Sequence, residues 1–394
     1  MNSPTHPLAG LSGHSHRVMK TLPLSHSPTR RPIARTRFLV PMLAALAIGS
    51  RVMALDIIPT FDSSITNLPS GSDVVLSIRA AIFEYKYRVA DPNRAFVVFK
   101  ADESVGLGAS STATNAQAYP DYRAKLAALS RSPLDALAVA SLPVTTNNPV
   151  NANPLVRLRQ AHERALGFNV PDSTDSTLRF KTSITRVSPS AAYPPNGYSL
   201  YAVVCHEINE VLGLGSVLTN LNNGDPAPNG PVEAEDLFRY DQNNNRSFTT
   251  DANALAYFYV PGYGRVGRFN QTVNPAGDFN DWYQDGFQPP RVQNWQATVG
   301  VDPRLSDQEM NAFDAIGYTV LPTPVWCDVV SGSDTGAGSY FAPLKTVATA
   351  DGSVGSGGAI LMVATGNPTL HTNRVSVATP CKITPFNGTL RIAP

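Results

Sequence analysis

Apolar residues recur at spacings of three and four in the stretch that follows Ser72. The repeating positions are Val75, Ile78, Ile82, Tyr85 and Val89. This spacing places them on one face of an α-helix. Asp91-Pro92 ends the predicted helix, because proline disfavours helical geometry in the residue before it. The apolar run at residues 95–99 then predicts a strand, and a helix followed by a strand indicates an α+β unit.

The next 70 or so residues predict more helices and one strand. A Gly-, Ala- and Ser-rich stretch at residues 106–114 precedes helical patterns at residues 119–129 and 133–142. Asn153-Pro154 opens a third helix, which runs through Leu166 and stops at Gly167. Apolar and polar residues alternate at residues 177–181, which favours a strand at the edge of a sheet.

A strongly apolar helix is predicted to start near Ser199, after a Pro-Pro-Asn-Gly turn. Its packing residues are Leu200, Val203, Val204, Val211 and Leu214. Gly213 and Gly215 mark its end, since glycine readily adopts the conformation that terminates helices. Short strands are predicted after it, at residues 256–260 and 265–269.

A second helix is predicted from a capping box, in which Ser306 and Glu309 satisfy each other's free backbone donors. Its apolar face consists of Met310, Phe313 and Ile316. Gly317 closes it.

The sequence changes character after Pro322-Thr323-Pro324. Short β-branched runs at residues 345–347, 359–363 and 374–377 are separated by Gly-rich turns, and no long helix is predicted. The predicted organisation is therefore a main α+β domain at residues 55–321, a linker at 322–325 and a small all-β module at 326–394.

The N-terminal region has the pattern of a signal peptide. The first 37 residues are polar and basic, and an apolar run follows at residues 38–48. Val52-Met53-Ala54 supplies the small residues that a signal peptidase accepts, so residues 1–54 are predicted to be a signal peptide with a long basic leader. The run is shorter than the roughly 20 residues of a membrane span. We expect a secreted mature chain without a membrane span; a buried core helix is the alternative interpretation.

The amino-acid composition and net charge of the chain exclude some classes of protein. There are 31 basic and 30 acidic residues, a formal charge of +1, so no basic surface for nucleic acid is indicated. Apolar residues make up 42% of the chain, which excludes an intrinsically disordered protein. Of the three cysteines, Cys205 is expected to be a buried free thiol, whereas Cys327 and Cys381 could pair in an oxidising compartment.

The candidate chemistry lies in the segment His206-Glu207-Ile208-Asn209-Glu210. On a helix, His206 and Glu210 are four residues apart and project from one face, where an imidazole and a carboxylate can bind one cation. Glu207 lies about 100° around the helix, where a carboxylate can take a proton from a water molecule that a metal activates. A pair of this kind is by chance usually an exposed polar face. Here the rest of the helix is apolar, which favours a metal site.

This helix resembles the active-site helix of the metzincin metallopeptidases, with Glu210 in place of the second histidine of His-Glu-x-x-His. The region from Ile57 to about Leu321 is similar to a family of exported bacterial proteins that are assigned to the metalloproteases by sequence. The shared segments are the helix, Asp-Leu-Phe-Arg-Tyr at residues 236–240, Gly-Asp-x-x-Asp-Trp at residues 277–282 and the helix end at residues 313–318. The resemblance implies a metzincin-like fold that binds zinc.

The third metal ligand is not evident from the local sequence. Metzincins place it three residues after the glycine, where this chain has Ser216, a poor zinc ligand. The candidates from elsewhere are Asp236, Asp278 and Asp281, and Asp236 is preferred because it lies in the first acidic segment after the helix. The predicted zinc ligands are therefore His206, Glu210 and Asp236. An alternative is that Asp278 and Asp281, beside Asn274 and Asn280, form a structural calcium loop.

The C-terminal segment has a second resemblance. Its motifs at residues 329–347, 357–363 and 387–390 are similar to the first coils of right-handed parallel β-helix proteins of the pectate-lyase-like group. About 70 residues are too few for the three coils that a solenoid core needs, so the segment is predicted to be a truncated β-helix-like module.

Together these features predict a secreted, zinc-dependent metalloendopeptidase that acts on polypeptides. His206 and Glu210 hold the metal, and Glu207 acts as the general base. Two alternatives remain from the sequence. One is a non-catalytic exported binding or surface protein that retains the peptidase fold, and the other is a carbohydrate-associated protein.

Overall fold

The described residues of the computed structural model are 54–218, 221–272, 277–284, 286, 289–364, 369–371 and 376–392. All of the predicted signal peptide except Ala54 lies outside these ranges. Within them the chain forms eight α-helices, one 3-10 helix and 17 strands in several small sheets, so the predicted mixed α+β class is confirmed.

The helices have the following bounds: α1 Ser63–Thr66, α2 Gly71–Arg88, α3 Tyr119–Leu129, α4 Pro133–Ser141, α5 Gln160–Ala165, α6 Leu200–Leu212, α7 Asp307–Ile316 and α8 Val347–Ser353, with the 3-10 helix at Glu235–Phe238. The strands have the following bounds: β1 Asp56–Phe61, β2 Arg94–Ala101, β3 Gly108–Thr112, β4 Thr114–Ala118, β5 Leu155–Arg159, β6 Ser176–Phe180, β7 Thr185–Arg186, β8 Tyr198–Ser199, β9 Val232–Glu233, β10 Arg239–Tyr240, β11 Tyr257–Val260, β12 Gly264–Arg268, β13 Val325–Cys327, β14 Ala359–Val363, β15 Thr369–His371, β16 Lys382–Phe386 and β17 Leu390–Ile392.

The main sheet has the strand order β1-β2-β6-β3. The first three strands are parallel, and β3 pairs antiparallel with β6 at the end of the sheet. The strand predicted at residues 177–181 therefore exists, but it is internal. Its alternation reflects the two faces of the sheet, because Ser176, Leu178 and Phe180 are buried and the residues between them are half-buried. The edge strands of this sheet are β1 and β3, and β3 lies within the Gly-, Ala- and Ser-rich stretch.

The helix that carries the candidate chemistry, α6, packs against α2, β3 and β6. Ser199 caps its start by accepting a hydrogen bond from the backbone N–H of Ala202, and Gly213 ends it with a φ of 124°. Every residue of α6 except His206 is buried. The predicted ends of this helix agree with the structure. Its packing against α2, β3 and β6 holds in place the candidate residues that α6 carries.

A second group of strands lies beside the main sheet in the order β4-β5-β9. The helix predicted from Asn153 through Leu166 is wrong for its first half, which forms β5 before α5 begins at Gln160. Burial alternates along β5, since Val156 and Leu158 are buried and the residues between them are half-buried. Pairing with β4 and β9 outweighs the local helical preference.

Helix α7 has the predicted capping box between Ser306 and Glu309. Gly317 terminates it in the left-handed conformation, with a φ of 112°. Met310, Phe313 and Ile316 are all buried in the main core.

The C-terminal strands form the parallel sheets β13-β14-β16 and β15-β17. The strand predicted at residues 345–347 is wrong, because Thr346 caps the short helix α8. Residues 374 and 375 of the run at 374–377 lie outside the described residues. The described residues, from Ala54 onward, belong to one compact unit.

Buried contacts cross the boundary that the sequence predicts at residues 322–325. Trp326 is fully buried, and its indole N–H donates to Glu84 of α2 over 3.0 Å. The ring of Phe83, also on α2, lies 5.2 Å from that of Phe386. The three cysteines are free thiols in this structure. No helix in the described part of the chain is long and apolar enough to cross a membrane.

Candidate metal centre

Three side chains meet on the side of α6 that lines the cleft, where His206 is half-buried and Glu210 and Asp281 are buried. One ligand atom from each of His206, Glu210 and Asp281 lies within 4.8 Å of the other two. His206 and Glu210 are adjacent because they are one helical turn apart. Asp281 comes from a loop, and the His206 Nε2 to Asp281 Oδ1 distance is 3.4 Å. One imidazole and two carboxylates are donors that zinc accepts, so the residues present fit a zinc ion.

The imidazole of His206 is oriented for metal binding. Its Nδ1 lies 3.0 Å from the backbone carbonyl of Val292. Because a carbonyl oxygen only accepts, Nδ1 must carry the proton in this contact. In the neutral ring the lone pair is then on Nε2, which faces Asp281. Metal-binding histidines are commonly held in this way.

The two carboxylates are also held by neighbouring groups. Glu210 accepts hydrogen bonds from the Ser110 hydroxyl of β3 and, at 3.1 Å, from the Asn280 amide. Asp281 accepts a hydrogen bond of 3.0 Å from Gln293. The side chain of Gln293 in turn accepts one of 2.8 Å from Asn209 of α6. These contacts fix the carboxylates before any ligand binds.

The position of Asp281 depends on its neighbour Trp282. This tryptophan is fully buried and forms backbone bridges to both Phe269 and Asn294. The Asp281 carbonyl also accepts a hydrogen bond of 2.7 Å from the backbone of Asn270. A loop residue is thereby held as firmly as one in a strand.

Glu207 is buried between α6 and the edge strand. A Cβ atom added to Gly108 of β3 would lie 3.1 Å from Glu207 Cδ and 2.8 Å from Val203 Cγ1. Glycine at this position therefore makes room for the carboxylate. Burial, and then the charges of Glu210 and the nearby aspartates, raise the pKa of Glu207 well above its usual range.

The electrostatics of the group favour a cation. Burial works against charge on His206, but Asp281, Glu207 and Glu210 outweigh it and raise its pKa to about 9. Burial raises the pKa of Asp281 to about 8, although His206 opposes this shift. The group therefore holds extra protons when no other cation neutralises its carboxylates, and a divalent cation would displace them.

Asp236, which the sequence favoured as third ligand, is not part of this group. Its carboxylate accepts hydrogen bonds from the Ser216 hydroxyl and from the backbone N–H groups of Val217 (3.2 Å) and Glu233 (3.0 Å). It thus links the segment after α6 to the 3-10 helix. Ser216, which the metzincin resemblance aligns with the third ligand, is a hydrogen-bond partner of Asp236.

Asp278 and Asp281, the pair considered for a calcium loop, have different places. Asp281 faces His206, whereas Asp278 lines the cleft outside the three-residue group. Burial raises the pKa of Asp278 to about 6. Asn274, the other member of the proposed loop, lies outside the described residues.

Several residues of the site were not predicted from the sequence. Ser110 and Gln293 help to hold the candidate ligands but belong to no recognisable motif, and Asn209 lies within the His206–Glu210 segment but was given no role. Only Ser110 has a pattern that points to the site. If residues 108–112 are taken as a strand, Gly108, Ser110 and Thr112 fall on one face of it.

The group lies in a cleft of about 650 Å³. It is lined by residues of β3 and by residues between Val292 and Pro303, among them Trp295 and Val301. The start of α6 forms part of the lining through Ala202, Val203 and the capping residue Ser199. A cleft of this size can hold several residues of an extended peptide.

No family model, curated protein or solved structure matches this chain.

Proposed function

We propose that this chain is an exported zinc-dependent metallopeptidase. The observation that carries the proposal is the convergence of His206, Glu210 and Asp281, with their ligand atoms within 4.8 Å of one another. His206 offers Nε2, because Nδ1 is bonded to Val292, and the two carboxylates offer oxygen atoms. Export rests on the signal-peptide pattern of residues 1–54 alone.

Glu207 is the general base in this proposal. Zinc, when bound by such a set, lowers the pKa of water and polarises a carbonyl group. Glu207 lies beside Glu210 on α6 and accepts the proton of the attacking water, then passes it to the leaving amine. The charge of a bound cation favours the ionised form of Glu207 and so acts against its raised pKa.

The cleft supports a peptide as the substrate. Strand β3 pairs with β6 on one side and lies at the end of its sheet, so its other side can bond an extended chain. Gly108, against Glu207, and Ser110, bonded to Glu210, are both on β3. A peptide added along this strand passes directly over the proposed metal ligands.

The proposal is tested with purified protein and its Glu207→Gln variant. We expect about one zinc per chain in both proteins, and casein cleavage by the wild type alone, with a loss of at least about 100-fold in the variant. Glutamine matches the shape of glutamate but cannot accept the proton. Zinc binding without cleavage of casein or of a peptide library would instead support a non-catalytic binding protein.

A further inference from the structure

Two arginines lie side by side on β5, in the wall of the cleft. Arg157 and Arg159 point to the same side of the strand, because the residues between and before them, Leu158 and Val156, are buried on the other side. Both arginines line the cleft. Their guanidinium groups have different surroundings, however.

The charge of Arg159 is already balanced. Its Nε donates to Glu233 of β9 over 3.0 Å, and this ion pair is largely buried. Arg157, by contrast, is half-buried, and its guanidinium has no hydrogen bond or ion pair with any residue that the structure describes. The Arg157 guanidinium is therefore a cationic group in the cleft that is available to bind a ligand.

The strand pairing locates Arg157 relative to the metal centre. Along the chain, Gly108 lies against Glu207 and Ser110 bonds Glu210. The chain then enters β4, where Thr114 pairs with Arg159 and Ala116 with Arg157. Along this path Arg157 therefore lies beyond Ser110 and Glu210, on the side away from Gly108 and Glu207.

We propose that Arg157 binds a carboxylate group of the substrate, so that the cleft selects peptides with a negative charge near the cleaved bond. The proposal rests on the peptidase function proposed above. Guanidinium groups bind carboxylates through two parallel hydrogen bonds, which gives both affinity and geometric selection. Ser110 and Ala116, the strand partner of Arg157, are six residues apart, which is at most about 20 Å at about 3.3 Å per residue, so the charge lies within about six residues of the cleaved bond.

Two chemical sources can supply this carboxylate: an aspartate or glutamate side chain, or the C-terminus of the peptide. The experiment uses four forms of one internally quenched peptide. The first is neutral and amidated, and the second is amidated with one glutamate moved through the six positions on each side of the cleaved bond. The third is neutral with a free C-terminus, and the fourth is amidated with one lysine moved through the same positions. Cleavage by the zinc-loaded wild type gives kcat/KM, and fluorescence anisotropy with zinc-loaded Glu207→Gln gives Kd.

We expect one charged form to be preferred over the neutral peptide by about tenfold in kcat/KM and in Kd, as for a single charge-assisted hydrogen-bonded pair at a partly exposed site. Preference for the glutamate form identifies an acidic side chain, and preference for the free C-terminus identifies a terminal carboxylate. In Arg157→Gln the preference falls to about one, and in Arg157→Glu it moves to a lysine-containing peptide. Arg94→Gln is the matched control, since Arg94 pairs with Asp172 on the surface outside the cleft and should keep the full preference.

Equal cleavage of charged and neutral peptides by the wild type would overturn this inference and leave the peptidase function intact. An unchanged preference in Arg157→Gln would also overturn it. Preferential binding of a charged peptide through Arg157 without cleavage would instead support the inference and contradict the peptidase function. Absence of binding to every peptide would overturn both.

Discussion

Replacing Gly108 with alanine tests the role of Glu207 without changing a charged residue. The added Cβ would lie 2.8 Å from Val203 Cγ1 and 3.1 Å from Glu207 Cδ, and closer still to the carboxylate oxygen. Ordinary contacts are about 3.5 Å or more, so the carboxylate must move by about 1 Å. A displacement of this size at a reacting group costs about 100-fold in rate. The three atoms nearest to the added Cβ belong to Glu207 and Val203, and none belongs to a candidate metal ligand.

We therefore expect Gly108→Ala to lower kcat/KM by about 100-fold, to keep its zinc and to lose about 1–3 kcal/mol of stability through overpacking. Peptide cleavage, metal analysis and urea denaturation measure the three effects. Gly106→Ala is the matched control, because a Cβ there has no neighbour within 4 Å. Full activity of Gly108→Ala, or loss of zinc together with activity, would refute the assignment of this strand position to Glu207.

Three further predictions concern pH, the support of the ligands and the C-terminal strands. The pKa of His206 is raised from 6.5 to about 9, and the pKa of Asp281 is raised from 3.8 to about 8. Without metal, both groups therefore stabilise the folded state fully when the pH is below their pKa in the unfolded chain. This stabilisation is lost as the pH rises through their raised pKa in the folded protein. Because zinc competes with the same protons, the Tm increase on adding zinc should grow between about pH 6 and about pH 8, and a decrease over this range would contradict the charge assignment. Gln293→Ala removes the hydrogen bonds to Asp281 and Asn209 and should weaken zinc binding about 10- to 100-fold. The affinity is measured by competition with a chelator, and an unchanged value would show that these contacts do not orient Asp281. Trp326→Ala should lower the free energy of unfolding by about 3–5 kcal/mol in one cooperative transition, because this side chain is fully buried; a separate low-stability transition would indicate an independent C-terminal unit.

The helices were predictable where their signals are local. The apolar repeat after Ser72 corresponds to α2, and the ends of α6 and α7 follow from Ser199, Gly213 and the capping box of Ser306. These features act within one or two turns of helix, so the sequence alone contains them.

Strands β3 and β5 were not predictable in the same way. The residues of β3, Gly108–Thr112, contain no apolar alternation, and the strand exists because it pairs with β6. β5 follows a proline that also suits a helix start, and only its partners β4 and β9 decide its conformation. Pairing between distant segments determines both, and a single sequence does not display it.

The residues of the site likewise divide into those that local sequence predicts and those that distant contacts determine. His206, Glu207 and Glu210 follow from helical spacing. Choosing among Asp236, Asp278 and Asp281 requires knowing that Trp282 bridges Phe269 and Asn294, which brings Asp281 to the helix.

Zinc binding by two matched variants tests the metal centre most directly. Asp281→Asn and Asp236→Asn each remove one negative charge from an aspartate that the sequence offered as a ligand. Zinc content and affinity are measured for both and for the wild type, with the Tm in chelator as a check of folding. We predict about one zinc per wild-type chain, an affinity about 100-fold or more lower in Asp281→Asn, and full zinc content in Asp236→Asn. Loss of zinc in Asp236→Asn with retention in Asp281→Asn, or no zinc in the folded wild type, would contradict the proposed centre.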